Sequence, residues 1–362
     1  MKRQISTSIE FAILVAYSTI AILFFYNYGL PSLAGDIPLQ MYSDSTVYEE
    51  WALSGIAAGN ITLVGVGGNL LGPVLVLTVF NFDRNYIHFF NIAVMLLSYL
   101  IVRRNIPVNR LYLLLGLLSS PLLFFSLFGV NKEIFALLTA ACLAVSIRKR
   151  TWGWVLATLA ASILARWQLS VFVAVMFFAT SVLNPFRAKR ALTLAILVGA
   201  ISIVYPIFSA GPLEQIDLIS IEGAADRASI GASGTYEKMQ SIQRSYGYFL
   251  VLIPKMLQLS FGLIPQISLV DVNDFWNEFV LPAQCISYAV LALAALLTRR
   301  LTVENDVVFL ICMFMVFFVV TPVYAPRYLY PAAVLLAIFV SSHQSPKGTR
   351  RPVKGFLQGS SR

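Results

Sequence analysis

The sequence predicts an all-α, polytopic membrane protein with about ten transmembrane helices and further interfacial or re-entrant helices on its outer face. Two observations carry that expectation. Apolar residues make up 58% of the 362-residue chain and charged residues only 12%, with a mean hydropathy of +0.78, whereas soluble domains carry roughly a quarter charged residues. Apolar runs of spanning length also recur from end to end with short basic punctuation, which describes one integral membrane domain, residues 1–342, followed by a basic cytoplasmic tail at 343–362.

The elements follow in order. "MKRQISTSIEFAILVAYSTIAILFFYNYGL" joins a basic start to an apolar run without a small-residue cleavage site, so 8–29 reads as an uncleaved first span. The next spans are 86–102, 111–128, 133–147, 152–165, 168–184, 191–208, 278–298, 307–322 and 328–341, with outer loops at about 30–85 and 209–277. Two more apolar stretches, 61–80 and 247–264, read as re-entrant or interfacial helices on the outer face. Counting 61–80 as a span would carry Arg103, Arg104 and the "RKR" at 148–150 to the outside. Within 61–80, "GVGGNLLG" lacks the Lys-Ser/Thr and the preceding strand of a phosphate loop and reads as close helix packing or a re-entrant turn. The region 209–246 mixes small, charged and Ser/Gly residues without periodicity and reads as a long outer loop over a site.

Charge sets the topology. With the N-terminus inside, the basic clusters around residues 2–3, 103–110, 148–150, 187–190, 299–300 and the tail all fall inside. These hold eighteen of the 26 basic residues, while fourteen of the 17 acids fall outside or at outer span ends. That asymmetry is the positive-inside pattern and puts both termini in the cytoplasm. The net charge of +9 comes from these clusters, with no aromatic or Gly-rich nucleic-acid pattern beside them, so the expected basic-tail partner is anionic lipid and not nucleic acid. Cys142, Cys285 and Cys312 sit singly in apolar runs, which excludes a disulfide framework and a zinc site. Of the two histidines, His88 reads as facing an interface, and His343 belongs to the tail.

The chemistry gathers on the outer side. "MYSDSTVYEEW" places Asp44 four residues before Tyr48, on one face of a helix that would lie at the interface. The same side holds Asp36, Glu49, Glu50, Asp83, Arg84, Lys132, Glu133, Arg166, Lys255, Arg327 and Tyr328. Any one of these is most simply a helix-end charge, but ionisable groups near apolar depth are costly and face a cavity or a partner. A carboxylate there can act as general base on a sugar hydroxyl, and arginines opposite it can grip a lipid phosphate bidentately.

Taken in order, these features resemble the GT-C superfamily of membrane glycosyltransferases, particularly enzymes that use dolichyl- or undecaprenyl-phosphate sugars. That family carries an Asp-x-x-x-Tyr motif in its first outer loop, matched by Asp44 and Tyr48. Interfacial helices and a basic-terminated span follow, as 61–80 and "SYLIVRRN" do. A second outer acid opens the fourth span, as Glu133 does in "GVNKEIFALL". A short hairpin with an arginine at its bend is similar to "LARWQLSVF", and an Arg-Tyr before a late span to "PRYLYPAAVLL". The likeness runs over about 1–190 and 306–341.

The resemblance implies an inverting glycosyltransferase in the plasma (inner) membrane. It would move a sugar from a polyprenyl-phosphate-linked donor to a glycan, lipid or protein acceptor of the cell envelope. Asp44 would be the catalytic base and Glu133 a second acid; Arg166, Arg327 and Lys132 would bind phosphate, with Tyr48 and Tyr328 beside the substrate. Asp44 and Glu133 are also compatible with a divalent cation shared with phosphate oxygens, without the residues assigning a metal site. Two other readings stay open. A polysaccharide polymerase acting on polyprenyl-diphosphate-linked repeats shares the helical build, outer loop and paired arginines. A lipid-linked-substrate transporter or flippase would instead need internal repeats and mid-span charges; the halves show no convincing repeat, and most charges lie at span ends, with Arg166 the exception.

Overall fold

Where a chain is this apolar, each backbone N–H and C=O has to be satisfied close by, and helices do that within the segment. The computed structural model describes residues 5–37, 41, 44–57, 70–209, 232–267, 275–298, 301–320 and 326–342, and among them the regular structure is all helical, with turns between and one isolated bridge, Val108 to Ser342. In the first half come α1 (Thr7–Phe24), α2 (Leu30–Ala34), α3 (Ser45–Ala57), α4 (Leu71–Val79), α5 (Arg84–Asn105), α6 (Arg110–Leu118), α7 (Pro121–Ser126) and α8 (Glu133–Lys149). There follow α9 (Trp152–Ala165), α10 (Trp167–Thr180), α11 (Arg190–Ser209), α12 (Ala232–Tyr246), α13 (Tyr248–Phe261), α14 (Leu281–Thr298), α15 (Asp306–Phe318) and α16 (Tyr330–Ser341). A π-helical turn, Phe25–Gly29, joins α1 to α2, another, Trp276–Val280, leads into α14, and a 3₁₀ turn, Pro326–Leu329, leads into α16.

Among the described residues three helices are long and apolar enough to cross a membrane: Thr7–Ala34, Arg84–Asn105 and Trp276–Thr298. Six further apolar helices are shorter, including Trp152–Ala165, Trp167–Thr180 and Asp306–Phe318. The expected span 111–128 is not continuous. Ser120 accepts a hydrogen bond from Leu123 N and Pro121 occupies the first turn, so the chain ends α6 and starts α7 there.

Two helices sit at the centre. In α8 only Leu138, Arg148 and Lys149 escape burial, and in α16 only Val340 does. Lipid offers apolar side chains no less favourable a setting than protein does, so close packing of small residues has to hold such helices together. Ala136, Ala140, Ala141 and Ala144 give α8 that surface. Gly116 of α6 lies where a Cβ would fall 2.8 Å from the Ala337 Cβ of α16. Gly72 of α4 is tighter still, because a Cβ there would stand 2.0 Å from the Leu164 carbonyl oxygen of α9.

The ion pairs sort by face. Arg84 joins Glu49, Arg166 joins Glu133 and Arg327 joins Asp44, while Arg103 and Arg110 join Glu10 and Arg190 joins Asp306. Each pair links two charges that the sequence assigned to the same side. The two ends of α5 show the separation, with Arg84 paired at one and Arg103 at the other, about 30 Å apart at 1.5 Å per residue.

Two expectations change, and Lys255 lies deeper than a residue at an outer edge. The stretch 209–246 is not wholly a loop: 232–246 forms α12, while 210–231 lies outside the described residues. Its buried face carries Gln240 and Gln243, so a search for apolar periodicity passes over it. Lys255, assigned to the outer constellation, is fully buried, with Nζ donating to Gln240 at 2.9 Å and to Gln243 at 2.7 Å. His88 faces no interface. It is buried, stacked on Phe25 at 4.2 Å between centroids, and its Nδ1 donates to the Leu127 carbonyl at 2.9 Å. Of 61–80, α4 is described and 61–69 is not; the tail with His343 also lies outside the described residues.

Candidate functional site

The spacing of the helices brings distant residues to one place. Glu133 opens α8, and α8 followed by α9 runs away and back, so Arg166 at the α9–α10 break returns to the Glu133 end. Its Nη2 donates to Glu133 Oε1 at 3.0 Å. The Arg166 guanidinium also lies over the Tyr328 ring, 4.2 Å from the centroid. Stacking and a charge-assisted bond together fix a planar guanidinium in a way lysine could not copy.

The other half of the site forms the same way. Tyr48 N bonds the Asp44 carbonyl at 3.0 Å, making Asp44 the residue that opens α3, and the Tyr48 hydroxyl donates to Asp44 Oδ2 at 3.0 Å. The i, i+4 spacing read from the sequence therefore places both groups together. Arg327 Nη1 donates to the same Asp44 oxygen at 2.6 Å. Lys132 closes the cluster, its Nζ 5.0 Å from the Tyr48 ring centroid. All seven residues expected at a site, Asp44, Tyr48, Lys132, Glu133, Arg166, Arg327 and Tyr328, thus converge from four separate segments.

A turn at 126–132 supports this meeting point. Asn91 Nδ2 donates to the carbonyls of Ser126, Leu127 and Gly129 at 3.3, 3.2 and 3.0 Å, and Asn131 Oδ1 accepts from Ile134 N at 3.1 Å. Buried carbonyls left unpaired here would cost about 1–3 kcal/mol each, so Asn91 holds the turn that presents Lys132 and Glu133. Val130 N donates to Ser45 Oγ at 3.1 Å, which ties this turn to the start of α3. Arg84 grips Glu49 through Nε and Nη2, at 3.3 and 2.8 Å, and fixes α3 to α5.

Electrostatically the site favours an anion. Three cations face two carboxylates, and the N-termini of α3, α8, α10 and α16 all point here, each with the positive end of its dipole. The Asp44 and Arg327 side chains are 30% and 21% exposed, whereas those of Glu133 and Arg166 are 4% and 14% exposed, so the first pair is the less buried one. Burial works to raise the Asp44 pKa, but Arg327, the Tyr48 hydroxyl and Lys132 outweigh it and hold the carboxyl below its usual range. Burial, followed by the neighbouring Arg166, pushes Lys132 down to about 8. Burial and the Asp44 charge push the Tyr48 phenol up, so it donates without ionising. Among the described residues no three His, Cys, Asp or Glu side chains gather as a metal site, and both carboxylates of the expected cation pair are instead engaged by arginines.

Sequence reasoning did not single out Asn91 as the brace of the turn, nor the joining of Glu10 to Arg103, Arg110 and Tyr99. A buried Asn or Glu in an apolar run is their signal, but it names no partner. Comparison with protein-family models, with curated proteins and with solved structures returns no match to this chain.

Proposed function

We propose that the protein is a membrane glycosyltransferase that takes its sugar from a polyprenyl-phosphate-linked donor at the outer face of the plasma membrane. In this reading the chain crosses ten times with both termini in the cytoplasm, α6 and α7 making one crossing. The convergence of three cations, two carboxylates and four helix N-termini on one point is the observation that carries it.

The charge balance favours a monophosphate. Asp44 and Glu133 against Lys132, Arg166 and Arg327 leave one positive charge in the cluster. A sugar phosphodiester brings one negative charge and neutralises it. As the acceptor hydroxyl attacks the anomeric carbon, its proton passes to Asp44, the new C–O bond forms on the face opposite the phosphate, and the old C–O bond breaks. Its electron pair leaves on the phosphate, which becomes a dianionic monoester. The cluster, with Asp44 protonated, now holds two positive charges, so balance is kept through the step. Diphosphate-linked repeats, the substrates of the polymerase reading, would carry one uncompensated negative charge throughout.

Each residue then has a role. Arg166, held by Glu133 and stacked on Tyr328, and Arg327 and Lys132 stabilise the departing phosphate, the kind of pre-aimed charge that supplies much of an enzyme's rate. Tyr48 orients Asp44. Helices α9 and α10, at 14 residues each, are about 21 Å long, short of a hydrocarbon core of about 30 Å. Arg166 would therefore sit below the outer surface, level with a lipid phosphate drawn inward.

The test is transfer of labelled sugar from a polyprenyl-monophosphate-linked donor by purified wild type and Asp44→Asn, with folding checked by thermal melting. Transfer by the wild type that falls about 100- to 10,000-fold in a well-folded variant, the size of general-base catalysis, supports the reading. Equal transfer by both, or none by the wild type, overturns it.

A further inference from the structure

The two arginine–carboxylate pairs are not alike, and the difference assigns them different work. Arg166 is braced on two sides, by Glu133 at 3.0 Å and by the Tyr328 ring, in the more buried pair. Arg327 bonds Asp44 at 2.6 Å in the more exposed pair, and it stands in a 3₁₀ turn, not in a regular helix. Asp44 keeps a second donor, the Tyr48 hydroxyl at 3.0 Å, on the same Oδ2. Removing Arg327 would therefore leave Asp44 oriented, whereas removing Arg166 would leave Glu133 buried without that partner.

Resting on the glycosyltransferase reading, we propose that the Asp44–Arg327 ion pair is a latch that the donor phosphate opens: Arg327 leaves the carboxylate for the phosphate, and Asp44, still held by Tyr48, takes the proton. The apo protein keeps Asp44 paired with Arg327, and that pair breaks only when a donor is seated. A phosphate can replace the carboxylate on the guanidinium because each presents oxygens that the planar guanidinium fork can grip in pairs. Arg166 serves as the fixed phosphate ligand and Arg327 as the exchanging one. Before and after, the same charges are present, and only the partner of Arg327 changes.

The latch makes a prediction opposite to that of a purely structural pair. If Asp44 competes with phosphate for Arg327, removing its charge strengthens binding. The measurement is the affinity of detergent-purified full-length protein for a polyprenyl monophosphate, by calorimetry. Asp44→Asn is expected to lower Kd about five-fold, the upper range for a partly exposed ion pair, and Asp44→Glu to leave it near the wild-type value. Asn and Ser both suit the start of α3, so Asp44→Ser provides a second charge-free variant should Asp44→Asn not fold. A general field effect is separated by the double variant: in an Arg327→Gln background, where Kd rises about ten-fold but Arg166 and Lys132 remain, Asp44→Asn is expected to tighten binding less than about two-fold, the part owed to field alone. Tightening of the full five-fold or so in that background, or weaker binding in Asp44→Asn alone, overturns the latch while leaving phosphate binding intact. No binding of the monophosphate by folded wild type would overturn the glycosyltransferase reading and the latch with it.

Discussion

Two ion clusters occupy opposite ends of the molecule, and they are built from the same side chains. At one end Glu10 accepts from Arg110 at 3.1 Å and from the Tyr99 hydroxyl at 2.9 Å, with Arg103 Nε 2.6 Å away. At the other, Asp44 and Glu133 meet Arg327 and Arg166. The Glu10 cluster is one buried carboxylate surrounded by donors from α5 and α6, and it ties α1 to both. The Asp44 cluster instead stands where regular structure stops, at the start of α3, at the 126–132 turn, at the α9–α10 break and at the 3₁₀ turn before α16. It leaves Asp44 nearly a third exposed. One arrangement closes a fold, and the other leaves charge within reach of a ligand.

The largest effect that separates them is on chemistry. Arg166→Gln and Arg327→Gln are each expected to lower sugar transfer roughly 100- to 1,000-fold, as loss of one pre-aimed charge does, while melting temperature changes little for Arg327→Gln. Measured rates per folded molecule that fall no more than two-fold would put the Asp44 cluster in the same class as the Glu10 cluster. The mirror experiment is Glu10→Leu. It leaves Arg103 and Arg110 without their buried partner, at a cost of about 3–5 kcal/mol, read as a lower melting temperature with transfer per folded molecule within two-fold of wild type.

Gly72→Ala sharpens the comparison from the side of packing. The added methyl meets the Leu164 carbonyl two residues before Arg166, so α4 and α9 must part. The expected loss is about 1–3 kcal/mol, and transfer drops several-fold because Arg166 moves with the end of α9. Gly116→Ala, which strains α6 against Ala337 away from the Asp44 cluster, is expected to lower stability without that drop. The two melting curves and two rates, compared, show whether the helix break is what positions the arginine.

The smallest effect concerns pH. Lys132 is brought from its usual 10.5 to about 8, and Asp44, Glu133, Arg166, Arg327 and Tyr48 all act on it or lie beside it. It is charged below about 8 and neutral above, so its share of phosphate binding is present at pH 6–7 and fades as pH rises past 8. Asp44, held below its usual range, stays ionised throughout. A phosphodiester donor has no ionisation of its own there, so Kd for it is expected to rise about three-fold between pH 7 and 9, and Lys132→Arg to remove that slope.

How much of this the sequence carries differs between the ends. The Asp44–Tyr48 spacing, the acid opening "EIFALL" and the arginine in "LARWQ" are local patterns, and the structure assembles them because two helices out and back return the chain to the same side. The ion pairs agree with the charge grouping read from the sequence only in that each joins two charges assigned to one side. The Glu10 cluster was not legible, because its partners lie about ninety and a hundred residues away and no periodicity links them. Helix α12 was missed because its inward face is glutamine, and the burial of Lys255 was not legible because it depends on those two glutamines. The break of 111–128 at Ser120-Pro121 was readable from turn chemistry, but a hydropathy window averages across it.

The central claim is that the Asp44 cluster handles a single phosphate, and the most direct measurement is a competition between donors. Purified wild type is given labelled sugar on a polyprenyl monophosphate and on a polyprenyl diphosphate in equal amounts, and product is followed from each. The account predicts transfer from the monophosphate, inhibited by free polyprenyl phosphate. Transfer from the diphosphate alone, or glycan growth by whole repeat units, would contradict it.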